Sequence, residues 1–241
     1  MQIAIMQPTF NPWMGYIYMI ASVDKFVFLD NVQFERRSWQ SRNKIKLNNN
    51  YHLININTQK ASQDTLLNQI YINKELRWKN KFLDTFYHSY SKSINFDICF
   101  DFLKNQLNQC DKLVDFNISL IDFFCQNLDI KTPLLKASNL NINDKKREDL
   151  LLEICKQLNA NNYLSPEGSK DYLEKEYAKT IFKQANIDIK YLDFTHPTYK
   201  QIGKNFLPYL GIFDFIVNEE NAALKFKEII KSNKEMSESF I

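Results

Sequence analysis

The apolar run Ile3-Ala4-Ile5 leads almost directly into Gln7-Pro8-Thr9-Phe10-Asn11-Pro12-Trp13-Met14-Gly15-Tyr16. A short buried run followed by two prolines, a glycine and three aromatics predicts a first strand handing over to a first helix through a tight turn. That junction restricts the fold. In open α/β sheets ligands sit where strand carboxyl ends face helix N-termini, because free backbone N–H groups and the helix dipole converge there. On one reading Gln7, Thr9 and Asn11, with the ring edges of Trp13 and Tyr16, line such a mouth. On the other, Pro8, Pro12 and Gly15 shape a connection while Phe10, Trp13 and Tyr16 fill core. Both put a strand end and a helix start here.

The pattern recurs one strand later. Lys25 to Leu29 is a second buried run and ends in Asp30-Asn31-Val32-Gln33, so Asp30 and Gln33 join the candidate ligand side chains. The next segment, Arg36 to Lys44, is dense in donors. Arg42 and Lys44 suit phosphate oxygens, Asn43 adds an amide, and Trp39 can stack on a base or sugar. The alternative is a solvated charged loop whose tryptophan covers core. Tyr51 to Asn57 alternates as a strand, and Asn48-Asn49-Asn50 before it reads as a hairpin turn without the usual glycine.

From about Lys74 to Leu128 the period becomes helical, with Trp78, Phe82, Phe86 and Tyr90 at four-residue intervals. Beyond Pro133 the α/β pattern returns. Leu134-Leu135 and Tyr163-Leu164 read as strands, Arg147 to Leu158 and Asp171 to Asn186 as helices, and Ile189 to Phe194 as a last strand before a closing helix at Leu224 to Lys231. The predicted organisation is an α/β half at 1–73, a helical insert at 74–132 and a second α/β half at 133–241. The fold class is α/β, a Rossmann-like sheet with a helical insert or cap; if the insert caps the carboxyl edge, a cleft forms among Trp13, Asp30, Arg42 and His196.

His196 follows the last predicted strand, in Thr195-His196-Pro197-Thr198-Tyr199-Lys200-Gln201. A histidine there can act as general base, its ordinary pKa lying near working pH. It can equally hold the Pro197 turn by bonding to backbone. The loop Ser165 to Ser169 offers a weak anion cradle that matches neither a Walker loop nor a dinucleotide fingerprint.

Composition excludes some classes. With 31 basic and 28 acidic residues, net charge +3, bulk electrostatics give no case for nucleic acid. The four cysteines lack Cys-x-x-Cys spacing and a nearby histidine pair, so neither a disulfide nor a metal site is expected. No apolar run approaches the roughly 18 residues that span a bilayer, and no leader pattern opens the sequence, which predicts a cytoplasmic protein without a membrane partner.

Together these segments resemble the WbqC-like protein family, found in bacterial surface-polysaccharide and related gene clusters. The resemblance lies in Gln7 to Tyr16, Phe28 to Phe34, Trp39 to Lys46, Tyr163 to Ser165 and His196 to Gln201. More distantly, Ile3 to Tyr16 is similar to the opening of adenylyl- and cytidylyl-type nucleotidylyltransferases. There the turn leads into His-x-Gly-His, whose two places are taken here by Trp13 and Tyr16. That likeness implies a nucleotidylyltransferase-like fold, but neither residue supplies the cation that stabilises a transferred phosphoryl group.

The family resemblance implies an enzyme that modifies a nucleotide-linked amino sugar by N-acyl or aminoacyl transfer. The donor would be a thioester on an acyl carrier protein or coenzyme A, with no resident cofactor. On that view His196 is the base with Asp30 in reserve. Gln7, Asn43 or backbone N–H groups near Gly15 meet the oxyanion, and Arg42 and Lys44 hold phosphates. Trp13, Tyr16, Gln33, Trp39, Tyr199 and Gln201 complete the substrate contacts. Two alternatives stand beside it: a nucleotidylyltransferase-like enzyme, and a non-catalytic subunit that binds a nucleotide-sugar or carrier protein.

Overall fold

A computed structural model describes residues 1–142 and 145–239. Its centre is a five-stranded sheet of β1 (Gln2–Met6), β2 (Lys25–Phe28), β5 (Leu134–Lys136), β6 (Asn162–Ser165) and β7 (Asp188–Tyr191). The order is β5-β2-β1-β6-β7 and every pairing is parallel. Parallel strands need covered faces and crossover connections, so both faces are buried. Alternation divides them. Ile3, Ile5, Val27 and Tyr163 face one core, and Ala4, Phe26, Phe28 and Leu164 face the other.

The first face is covered by α5 (Arg147–Gln157) and α7 (Glu176–Gln184), whose Leu151, Ile154 and Phe182 pack there. Before α7 lies the short α6 (Lys170–Leu173). The single helix expected over 171–186 is therefore broken, and Lys175 sits at the break with extended backbone, φ −68° and ψ 145°. The second face carries α1 (Met14–Ala21), α8 (Phe213–Asn218) and α9 (Ala222–Ser239). The α8 helix has no signal in the sequence period. All its residues are buried, so no polar stripe marks it.

The β2-to-β5 crossover holds the hairpin of β3 (Arg42–Leu47) and β4 (Asn50–Asn55) and three helices, α2 (Leu76–Tyr90), α3 (Phe96–Gln109) and α4 (Leu113–Asn127). The hairpin dispenses with glycine because Asn48 and Asn49, at φ 51° and 60°, themselves take the left-handed conformation that a two-residue turn needs. The helices join the second core: Phe10 inserts toward Phe82 and Phe116, with ring centroids at 5.9 and 6.2 Å. At the carboxyl edge α4 makes contact through Asn117, on the Pro8 and Gln40 carbonyls, and through Asp115, paired with Lys136 at the end of β5. The 30–41 segment lies over the ends of β1 and β2, with Glu35, Ser38, Trp39 and Gln40 beside Ile5, Met6 and Leu29.

Candidate functional site

The strand order reverses between β1 and β6, where chain ends leaving in opposite directions leave a crevice at the carboxyl edge. Three adjoining cavities open there. The first, about 390 Å³, lies among Gln7, Leu29, Leu151, Tyr172, Arg147 and Lys175. The second, about 290 Å³, shares Gln7, Leu29, Leu151 and Tyr172 and adds Ser38, Trp39 and Ser169. The third, also about 290 Å³, shares Met6, Thr9 and Trp39 with the second and adds Trp13, Lys44 and Tyr209. They form one cleft.

Gln7 has a fixed orientation in it. The Gln40 Oε1 accepts the Glu35 backbone N–H at 2.9 Å, so the Gln40 amide nitrogen faces the other way. It donates to Gln7 Oε1 at 2.7 Å. Gln7 must then turn its own N–H₂ outward, and among the described residues that nitrogen has no protein partner. Beside it Trp39 is 52% exposed, far more than a core-covering tryptophan would be. Its backbone is fixed by the Phe10 N–H on the Trp39 carbonyl at 2.9 Å.

The Gln7–Tyr16 turn is held from several sides. Tyr16 is buried and its hydroxyl donates to the Gln7 carbonyl at 3.0 Å, and burial drives its pKa well above the ordinary value. The Trp13 indole folds over Gly15 so closely that a Cβ there would lie 2.2 Å from the ring. Asn11, at φ 46°, accepts the Phe213 N–H at 3.0 Å and so fastens the start of α8. The Asn43 amide donates to the carbonyls of Phe10 at 3.2 Å and Asn11 at 2.7 Å. From the helical segment, Asn117 donates to the Pro8 carbonyl at 3.0 Å and the Gln40 carbonyl at 2.8 Å.

Of the residues singled out from sequence, Gln7, Trp13, Tyr16, Trp39, Asn43 and Lys44 are brought to this cleft. The others stand elsewhere. Asp30 is buried beneath the edge, where both oxygens accept from Ser138, the N–H at 2.8 Å and the hydroxyl at 2.6 Å. That ties the ends of β2 and β5 together. Gln33 is exposed and donates to the Gln63 carbonyl at 2.8 Å. Arg42 begins β3 opposite Asn55 and is absent from the walls of the three cavities.

His196 is half-buried, with Nδ1 at 2.8 Å from the Pro197 carbonyl and Nε2 at 3.2 Å from the Tyr209 N–H. A carbonyl accepts only from a protonated Nδ1, and a backbone N–H needs an unprotonated Nε2. The ring is therefore the neutral Nδ1–H tautomer, and burial lowers its pKa accordingly. Tyr199 and Gln201 belong to a second, closed constellation. The Tyr199 hydroxyl donates to Asp214 at 2.9 Å, and Gln201 bonds both the N–H and the carbonyl of Leu207, each at 2.9 Å. Lys46, almost fully buried, reaches the Asn205 carbonyl and Gln201. Burial raises the Asp214 carboxyl to about 6, against the lowering pull of Tyr199, Tyr90, Lys46 and Gln201.

The cleft also takes residues that the sequence reading did not select for binding: Arg147, Glu148, Tyr172, Lys175 and Tyr209. Two carry backbone signals only a structure shows. Arg147 opens α5 at φ 50° and Tyr209 lies at φ 57°. Both are strained for side chains of their size.

The fold and its switch-point cleft define a Rossmann-like α/β protein. The chain belongs to the WbqC-like protein family, whose model matches residues 7–226. It is 27% identical over 226 residues to the uncharacterized protein Rv1507c of Mycobacterium tuberculosis, covering 90% of this chain and 93% of that one. No solved structure matches it. Among the described residues no helix is long and apolar enough to cross a membrane.

Proposed function

We propose that this protein binds a nucleotide-linked amino sugar in the cleft between β1 and β6 and modifies the sugar amine by acyl or aminoacyl transfer from a thioester. The observation that carries the binding part is the outward-turned Gln7 amide beside the exposed Trp39, at the topological switch point. A fixed amide donor and a free aromatic face suit a polar ring with an apolar side. The reaction class is the family's expectation. In it a base takes a proton from the sugar ammonium, the neutral nitrogen attacks the thioester carbonyl, the N–C bond forms as the C–S bond breaks, and the departing thiolate takes up the proton the nitrogen sheds.

One observation favours a second reading, a binding subunit without turnover. Both anticipated bases are occupied, His196 by Pro197 and Tyr209 and Asp30 by Ser138. A single experiment separates the two. The protein is incubated with nucleotide-linked amino sugars and either acetyl-coenzyme A or an acylated carrier protein, with binding followed by calorimetry and product by mass spectrometry. An acylated sugar supports transfer, and binding without product supports the subunit. Neither binding nor product would overturn both.

A further inference from the structure

Resting on that nucleotide-sugar reading, we infer that the cleft has a polarity. Its first cavity receives the nucleoside diphosphate, with Arg147 and Lys175 on the phosphates, and the sugar points toward Trp39 and Trp13. Residue chemistry separates the two ends. The wall of the first cavity is largely aliphatic, from Leu29, Val32, Leu150 and Leu151. A planar base can lie against such a wall, with Arg147, Glu148 and Lys175 at its margin left to the diphosphate and ribose. The second and third cavities instead offer the Thr9 and Ser169 hydroxyls beside two indole rings, groups that match hydroxyls and the apolar face of a sugar.

The cations fall on the side this polarity requires. Lys170 and Lys179, flanking the same short helices, are paired with Glu167 at 3.0 Å and Glu174 at 2.7 Å. Among the described residues Arg147 and Lys175 form no ion pair, although Glu148 lines the same cavity. Both are placed there by local backbone departures, the positive φ of Arg147 and the extended break at Lys175. A guanidinium fork and an ammonium at one mouth match the oxygens of a diphosphate. Glu148 is left to accept from a base N–H or a ribose hydroxyl. At the far end Lys44 is already engaged, its ammonium 5.0 Å from the centre of the Tyr51 ring.

The test is titration calorimetry with UDP, GDP, dTDP and inorganic pyrophosphate. The proteins are the wild type, the double variant Arg147→Ala/Lys175→Ala, and Lys44→Ala. The inference expects at least one nucleoside diphosphate to bind more tightly than pyrophosphate, and salt to weaken it. The double variant should lose about tenfold or more in that affinity, and Lys44→Ala less than about threefold. Pyrophosphate binding as tightly as every nucleotide would remove the base from the first cavity. A larger loss in Lys44→Ala than in the double variant would reverse the polarity while leaving nucleotide-sugar binding intact. If the wild type bound neither the diphosphates nor their sugar conjugates, the underlying functional reading would fall as well. Arg147 and Lys175 are exposed, so circular dichroism should show an unchanged fold. If the double variant melts early, Lys175→Gln alone carries the same comparison.

Discussion

Gly15 shows how one hydrogen in place of a methyl shapes the site. The Trp13 indole occupies the space a Cβ would need, with ring atoms at 2.2 to 2.6 Å. Gly15→Ala should push the indole off its seat, lowering stability by about 1–3 kcal/mol and deforming the third cavity. Thermal denaturation reads the first effect, and an unshifted melting temperature would contradict the packing described. Tyr16 lines the cavity, but its hydroxyl is spent on the Gln7 carbonyl. Tyr16→Phe should therefore cost about 0.5–1.5 kcal/mol of stability, through the loss of this part-buried hydrogen bond, as read by urea denaturation.

Asp214 gives a pH dependence with a definite sign. Its folded value, about 6, lies above the ordinary 3.8 because burial disfavours the carboxylate. Below the unfolded value both states are protonated and this contribution to stability is fully present. As pH rises toward about 6 the unfolded chain ionises first and stability falls, and the loss levels off above that. The difference in melting temperature between wild type and Asp214→Asn should thus change between about pH 4 and pH 7 and be flat outside it. A constant difference across that window would show that Asp214 titrates normally.

At the scale of elements, the turn after β1 is built by segments far away in sequence. The α4 helix contributes Asn117, whose amide donates to carbonyls of both the Gln7–Tyr16 turn and the 30–41 segment over the cleft. Asn117→Leu should strand two buried carbonyls at roughly 1–3 kcal/mol each, and should loosen Gln40 and hence Gln7. Chemical denaturation and ligand affinity should fall together. A destabilised variant that kept full affinity would mean the helical segment supports the core but not the site. The β2–β5 link is of the same kind, since Asp30 with Ser138 joins two strand ends that the long crossover separates.

For the whole molecule, the sheet was readable because burial on both faces leaves apolar runs at β1, β2 and β6, and because the helical period of 74–128 differs from them. The broken helix at Lys175 and the buried helix at Phe213–Asn218 were not readable. The first lacks a proline or glycine at the break, and the second lacks a polar face. The site divided in the same way. Gln7 lies in a motif dense with turn-formers and Trp39 in one dense with donors, while Arg147 and Lys175 look like any solvated cation until the backbone carries them to the cleft. The sequence leaves His196 as either a base or the holder of the Pro197 turn; the ring bonds the adjacent Pro197 carbonyl and the Tyr209 N–H, and only the second contact depends on a turn thirteen residues on.

The central claim is that ligand binds at the β1/β6 cleft, and tryptophan emission tests it directly. The chain has three tryptophans. Trp39 is 52% exposed in the cleft, Trp13 lines its third cavity, and Trp78 is 9% exposed within the helical segment. Titration with the nucleotide-linked amino sugar that calorimetry shows to bind should change emission to saturation. The change should be reduced in Trp39→Phe, where Trp13 alone still reports from the cleft, and retained in Trp78→Phe. Binding that leaves emission unchanged, or a signal that survives Trp39→Phe undiminished and vanishes in Trp78→Phe, would place the ligand elsewhere and contradict the account.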